Sequence, residues 1–222
     1  MVPATPELPS ALCSPCVQLG SQGINVLLNY LLNAGVVTSC SKLCGHLSGK
    51  AEQTICNLAC DLAGIKEFVN VLNHTDLDPI YFCELLTLCP AGPDDAAAQV
   101  VDAKASPATI SKGDTVQLIA DINVTKALGV GEFRLAVHGP VTSEISDGFI
   151  LPKGLVEGAI QLGVELQVED DTSGDEPVVW HPGSYSFDIH LCQGECGSKH
   201  PHSKDFGKAT GNFTLKEALV VV

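Results

Sequence analysis

Eight cysteines between Cys13 and Cys89, in a chain of 222 residues that carries ten, restrict this sequence more than any other feature. In order they are Cys13-x-x-Cys16, Cys40-x-x-x-Cys44, Cys56-x-x-x-Cys60, and a closing pair, Cys83 and Cys89. A four-residue step puts both thiols of each inner pair on one face of a helix. CxxC followed by CxxxC also suits zinc, but structural zinc takes a compact four-ligand set. Eight thiols spread along apolar helices suit disulfides, and disulfides in that number belong to an oxidising compartment. Eight cysteines admit many pairings, so spacing alone leaves the connectivity open.

Two apolar periods divide the chain. Up to Cys89 the period is helical: Ile24, Leu27, Leu28, Leu31 and Leu32 recur at steps of three and four, as do Ile65, Phe68, Val69 and Leu72. Gly35 is placed to break the first helix, and Ser48-Gly49-Lys50 reads as a turn before the next. Asp76 and Asp78 can cap a last helix carrying Tyr81, Phe82, Leu85 and Leu86. Ala91-Gly92-Pro93-Asp94-Asp95 then stops the helical pattern. Beyond it the period is two: Val116, Leu118, Ala120 and Ile122; Phe133, Leu135 and Val137; Ile160, Leu162, Val164, Leu166 and Val168; Tyr185, Phe187, Ile189 and Leu191. The expectation is a two-domain α + β chain. A disulfide-rich helical domain spans 1–91, a linker 92–96, and an antiparallel β-sandwich of immunoglobulin-like kind 97–222.

Charge excludes some partners. Acidic residues outnumber basic ones by 26 to 12, a net charge of −14 with both halves acidic. A phosphate backbone needs a basic surface, so nucleic acid is not expected. No apolar run is long enough to cross a bilayer. The opening MVPATPELPSALC has neither a basic n-region nor a long apolar h-region and does not read as a signal peptide, so Met1 reads as a trimmed mature end or an introduced start. Three glycosylation acceptors, Asn73, Asn123 and Asn212, each stand two residues before a threonine. With the cysteines they point to an extracellular or endolysosomal protein.

An opening CxxC, two central cysteines about a dozen residues apart and a closing pair six apart resemble the saposin-like (saposin B-type) family. Cys13, Cys16, Cys44, Cys56, Cys83 and Cys89 carry the likeness, while Cys40 and Cys60 are additional. The resemblance implies four or five amphipathic helices in a disulfide-tied leaf with an apolar inner face. Together with a helical hairpin about Ser48–Lys50, it implies the pairs Cys13–Cys89, Cys16–Cys83, Cys40–Cys60 and Cys44–Cys56. It also implies lipid contact through Leu27, Leu31, Ile65, Phe68, Val69, Leu72, Phe82 and Leu85, each of which serves equally as closed core. In the second half, the turn Trp180-His181-Pro182-Gly183 entering Tyr185 and Phe187, with a last strand at Phe213–Leu215, resembles the ML lipid-recognition sandwich. That likeness departs from the pattern in having only Cys192 and Cys196. A saposin-like module followed by such a domain is similar to the countin-like secreted proteins of amoebae, which implies cell–cell signalling by analogy.

Cys192-x-x-x-Cys196-x-x-x-His200-x-His202, with His190 nearby, reads as a loop-tip disulfide beside exposed histidines, or as a zinc or copper site. Glu169, Asp170, Asp171 and Asp175 read as a solvated hairpin loop, with a weak calcium site as the alternative. Gly183-Ser184-Tyr185 has no nucleophile-elbow signature, and no HExxH or phosphate-binding glycine loop occurs. No catalytic residue, cofactor or metal is assigned, and an enzyme is not expected. The expected function is a secreted or lysosomal lipid- or membrane-interacting protein. Its docking is promoted by acid, because near pH 4.7 the negative charge is largely titrated and the seven histidines are cationic. The alternative is a signalling or assembly subunit that binds a protein partner, or a further copy of itself, through the β-sandwich.

Overall fold

In the computed structural model, which describes residues 8–34, 37–74, 78–140, 144–173 and 177–217, five helices precede eight strands. Helix α1 (Leu8–Ala34) is followed by α2 (Cys40–Cys44), where the Ser39 hydroxyl caps the first turn by accepting from Lys42 N. Helix α3 (Lys50–Ala63) starts where the Glu52 carboxylate accepts from Gly49 N at 3.1 Å. Gly64, at φ 81°, turns the chain directly into α4 (Ile65–Leu72), a conformation that suits a residue without a Cβ. Asp78 caps α5 (Pro79–Leu85), with Pro79 at the first helical position. Gly35 and Asp76, read from the sequence as helix break and cap, lie outside the described residues.

Cys13 is joined to Cys89, Cys16 to Cys83, Cys40 to Cys60 and Cys44 to Cys56, so the closed loops nest. The helices pack their apolar stripes on one core that includes Leu27, Leu43, Phe68, Leu72, Ile80 and Phe82. Phe68 and Phe82 meet edge to face at 5.7 Å.

The strands are β1 (Ala97–Ser106), β2 (Thr109–Ile110), β3 (Thr115–Lys126), β4 (Gly131–His138), β5 (Glu144–Leu151), β6 (Gly158–Gln167), β7 (Gly183–Gln193) and β8 (Lys204–Leu215). They form one sheet in the order β1-β3-β6 and another in the order β2-β8-β7-β4-β5. The pairing is antiparallel except at β2, which runs parallel to β8, a departure from the all-antiparallel expectation. Alternation along β3 buries Val116, Leu118, Ala120, Ile122 and Val124 against the inner rows of β4 and β7. Trp180, Tyr185, Phe187 and Phe213 fill one end of this core. There the Tyr185 hydroxyl donates to His181 O and accepts from His181 N, which ties the turn before β7 to the strand itself.

Strand β6 differs from the others. Among the described residues it pairs with β3 alone, and its inner residues Ile160, Leu162, Val164 and Leu166 are only half-buried. Strand β5 closes the other sheet on its free edge, with Ile145, Phe149 and Leu151 half-buried.

Candidate functional site

The two halves meet along a polar seam built from α5, residues 90–96 and the loop closed by Cys192 and Cys196. Apolar contact begins the seam: Val130, just before β4, is buried in the helical core, and Ile150 of β5 packs against it. Gln193 then holds the connecting segment. Its buried side-chain amide donates to Pro93 O at 3.1 Å and to His202 O at 2.7 Å, and its carbonyl accepts from Gly129 N at 2.8 Å. Gly92 passes so close that any Cβ there would collide with this amide. Lys204 Nζ donates to Ala96 O, and Lys126 pairs with Asp95. The segment expected as a linker is therefore bound down along its length.

Four carboxylates converge here. Asp78 is 5% exposed; its Oδ1 accepts from Tyr81 N at 2.8 Å, while its buried Oδ2 has no hydrogen-bond partner among the described residues. Glu195, in the loop between the bridged cysteines, is pushed up to about 7 by burial first and then by the charges of Asp78 and Glu132, with Arg134 opposing. Burial likewise pushes the Glu84 carboxyl up to about 7, partly offset by His202. Glu132 is raised by burial, although its Oε2 accepts from Cys196 N at 2.8 Å. Between the halves lies a cavity of about 470 Å³ lined by Asp78, Glu195, Cys196, Ser198, Lys199 and His200.

The histidines have separate partners. His200 stacks on Tyr81 of α5, ring centroids 4.0 Å apart and nearly coplanar. His202 Nδ1 lies 2.7 Å from Asp94, and His190 Nε2 lies 2.9 Å from Asp205. His190 also approaches Cys192 Sγ at 3.5 Å, but that sulfur is bonded to Cys196. A thiolate–imidazole metal set is thus not assembled by these residues, because its sulfurs are spent in the bridge. In the Glu169–Asp175 run, Asp170 pairs with Lys112 and accepts from Trp180 N, and Asp171 accepts from Ser173. Asp175 lies outside the described residues.

Of the eight residues read as lipid contacts, Leu27, Phe68, Leu72 and Phe82 are fully buried in the helical core. Leu31, Ile65 and Val69 pack on it half-buried, and Leu85 is exposed. With Leu12, Leu62 and Leu88, Leu85 edges a second cavity of about 430 Å³ on the helical half. Asn73, Asn123 and Asn212 are all on the surface; Thr75, which completes the first acceptor triplet, lies outside the described residues. Sequence reading missed Glu84, Glu132, Gln193 and Glu195. Only the placement of Gln193 and Glu195 around a cysteine pair hinted at an ordered loop.

These features define a disulfide-stapled, two-domain α + β protein whose halves are joined through a buried polar seam. Residues 11–87 match the Countin N-terminal domain and residues 98–219 the Countin C-terminal domain, so the chain belongs to the countin family. Countin-2 of Dictyostelium discoideum is 32% identical over 218 residues, covering 94% of this chain and 80% of that protein. Countin-1 of the same organism is 30% identical over 207 residues, covering 93% and 78%. Among solved structures, an alkylpurine DNA glycosylase of Pseudomonas fluorescens bound to DNA aligns at 14% identity with a TM-score of 0.44. It covers 80% of this chain and 52% of its own, a likeness too slight to carry an argument about function.

Proposed function

We propose that this chain is an extracellular, non-catalytic assembly subunit that pairs with a second copy of itself along β6. The observation that carries this reading is the free edge of that strand. An unpaired edge with an apolar face is a template for another strand unless charge, bulge or cover blocks it. β6 runs for ten residues with one charged side chain, Glu165, in a chain of net charge −14. It is therefore a stretch where two such acidic chains can approach without strong repulsion. A two-fold register centred on Gly163 sets Leu162 against Val164 and Glu165 against Gln161, so no like charges oppose.

The reading takes 1–91 as a saposin-like helical domain, 92–96 as a fixed connector and 97–222 as an immunoglobulin-like β-sandwich. Support comes from the helical bridges, which close at Cys89, and from the strands, which begin at Ala97. Five disulfides and the exposed Asn73, Asn123 and Asn212 support secretion. Sedimentation velocity of the intact chain at about 1 to 100 μM tests the pairing at the micromolar strength expected of small interfaces. A dimer that Leu162→Lys and Val164→Lys each weaken at least tenfold supports it. A monomer throughout that range overturns it.

A second reading, lipid or membrane contact promoted by acid, is favoured by the leucine-edged cavity beside Leu62 and Leu85. With the inner helical face closed, this outer groove is the place for an acyl chain. Co-sedimentation with anionic vesicles that appears between pH 7.5 and 4, and is lost in Leu85→Asp, supports it. Binding that is unchanged by that substitution, or absent at every pH, removes it.

A further inference from the structure

The outer face of the five-stranded sheet gathers positive charge that pairing along β6 does not use. Arg134 of β4, His190 of β7 and Lys208 of β8 stand in register across three adjacent strands, so their side chains share one face. Arg134 is the only arginine in a chain of 26 acidic and 12 basic residues. In the next row Ala136 stands between Ser146 of β5 and Asp188 of β7, and its small side chain leaves a hollow. The result is a cavity of about 310 Å³ lined by Arg134, His138, Ser146, Asp188, His190 and Lys208.

The carboxylates nearby are engaged elsewhere. Asp188 accepts from Thr210 and lies 3.3 Å from His138 Nε2, Asp205 lies 2.9 Å from His190 Nε2, and Glu132 accepts from Cys196 N. Glu132 Oε1 is 3.6 Å from Arg134 Nε, beyond hydrogen-bond length, and Lys208 Nζ has no ion pair among the described residues. Neither cation donates a side-chain hydrogen bond to a described residue, although a guanidinium carries five N–H groups and an ammonium three.

We propose that this cavity binds a sugar bearing a phosphate or sulfate ester, with the oxyanion held between Arg134 and Lys208. Neighbouring strands lie about 4.8 Å apart, so the two residues stand roughly 10 Å apart across β7, and their long side chains can close on an anion from opposite sides. A guanidinium grips such an oxyanion through two parallel N–H bonds, and an ammonium adds a compact charge. A planar carboxylate offers two oxygens, whereas either ester offers three, enough for both cations at once. The remaining walls select the body that carries the ester. The Ser146 hydroxyl donates or accepts, and both Asp188 oxygens keep lone pairs for ligand hydroxyls. Besides Ala136 the only apolar lining residue is Leu135, whose side chain is turned to the core, so an acyl chain finds no apolar surface here.

The test is isothermal titration of the intact, oxidised chain at neutral pH in a phosphate-free buffer. The probes are N-acetylglucosamine 6-phosphate, N-acetylglucosamine 6-sulfate, inorganic phosphate and unesterified N-acetylglucosamine. At least one ester is expected to bind at one site per chain with a Kd of about 10⁻⁴ to 10⁻³ M, at least tenfold tighter than inorganic phosphate. The unesterified sugar should not bind, and the tighter of the two esters identifies the oxyanion. Arg134→Gln and Lys208→Gln each weaken that ester at least tenfold. Both side chains are exposed, so neither substitution disturbs the core. Lys66→Gln, on the helical half, leaves the affinity unchanged. β6 belongs to the other sheet, so neither substitution alters dimerisation. Inorganic phosphate binding as tightly as both esters would reduce the cavity to a plain anion site and overturn the sugar assignment. Absence of binding by both esters up to about 10 mM, or an affinity that Arg134→Gln and Lys208→Gln leave intact, would overturn the site itself.

Discussion

Replacing Gln193 with alanine tests whether the seam makes the two halves one cooperative unit. The side chain forms three hydrogen bonds, to Pro93 O, His202 O and Gly129 N. At about 1 kcal/mol net for a neutral bond, their loss costs about 3 kcal/mol. Partners that stay buried without a replacement raise that figure. For a β half of this size, about 3 kcal/mol corresponds to a fall of about 10 °C in Tm. The helical half, held by four bridges, does not share the fall once the connector is loose. Differential scanning calorimetry is the assay. The native chain is expected to unfold in one transition, and Gln193→Ala in two, with the β half melting first. Gln193→Glu keeps the shape but sets a carboxylate against two carbonyl oxygens, so it should be worse than alanine. A single transition within about 1 °C of the native chain for both variants would refute the idea that this amide fastens the halves.

Phe82→Ala, which empties a fully buried site against Phe68, is expected to cost about 3 to 5 kcal/mol in denaturant unfolding, as for a core residue. A cost under about 1 kcal/mol would mean that the helical face is not closed. Opening the Cys40–Cys60 bridge (separation 20) by a double change to serine, with Cys44–Cys56 (separation 12) still closed inside it, frees a loop of only about 8 residues, and the chain-entropy relation gives a loss of about 2.5 kcal/mol. Chemical denaturation of the variant against the native chain measures it. Glu84 titrates near 7 when folded against 4.5 as its ordinary value, so the folded state holds a proton that the unfolded chain releases. The stability this confers is complete below about pH 4.5 and is lost as pH rises through 7. Discounted for partial exposure, the loss is about 1 to 2 kcal/mol. Glu84→Gln should flatten that slope in denaturation curves at pH 4, 6 and 8, leaving pH 4 unchanged and raising stability at pH 8.

Local chemistry made much of the architecture legible. A helical apolar period with thiols four apart forces two helices to share a face, and Asp78 before Pro79 is a cap written in two residues. The alternation of β3 and that of β6 look alike in sequence, yet Leu118 is fully buried and Leu162 only half so. Period two reports which side of a strand is apolar, but position at a sheet edge depends on pairing across distant residues. The same limit applied to Leu27 and Leu85. Helical period chose their face, while closure of the core depended on how α1 and α5 met. Least visible was the seam. Glu84, Glu132 and Glu195 are ordinary carboxylates in their own neighbourhoods, and burial unites them only after the connector is laid along Gln193.

The nested bridges also determine how this molecule carries load. Tension applied across the helical half enters at Cys13 and leaves at Cys89, passing through one covalent bond, because those residues are joined. The chain between them, a sequence separation of 76, carries no force, and Cys16–Cys83 gives the next layer the same shelter. At about 3.4 Å per extended residue, roughly 250 Å of chain is withheld from stretching while the bridge lasts. Pulling should therefore unravel the β half alone. A reducing agent would release the hidden length, so the extension at which the chain goes taut reports directly on the redox state of its surroundings.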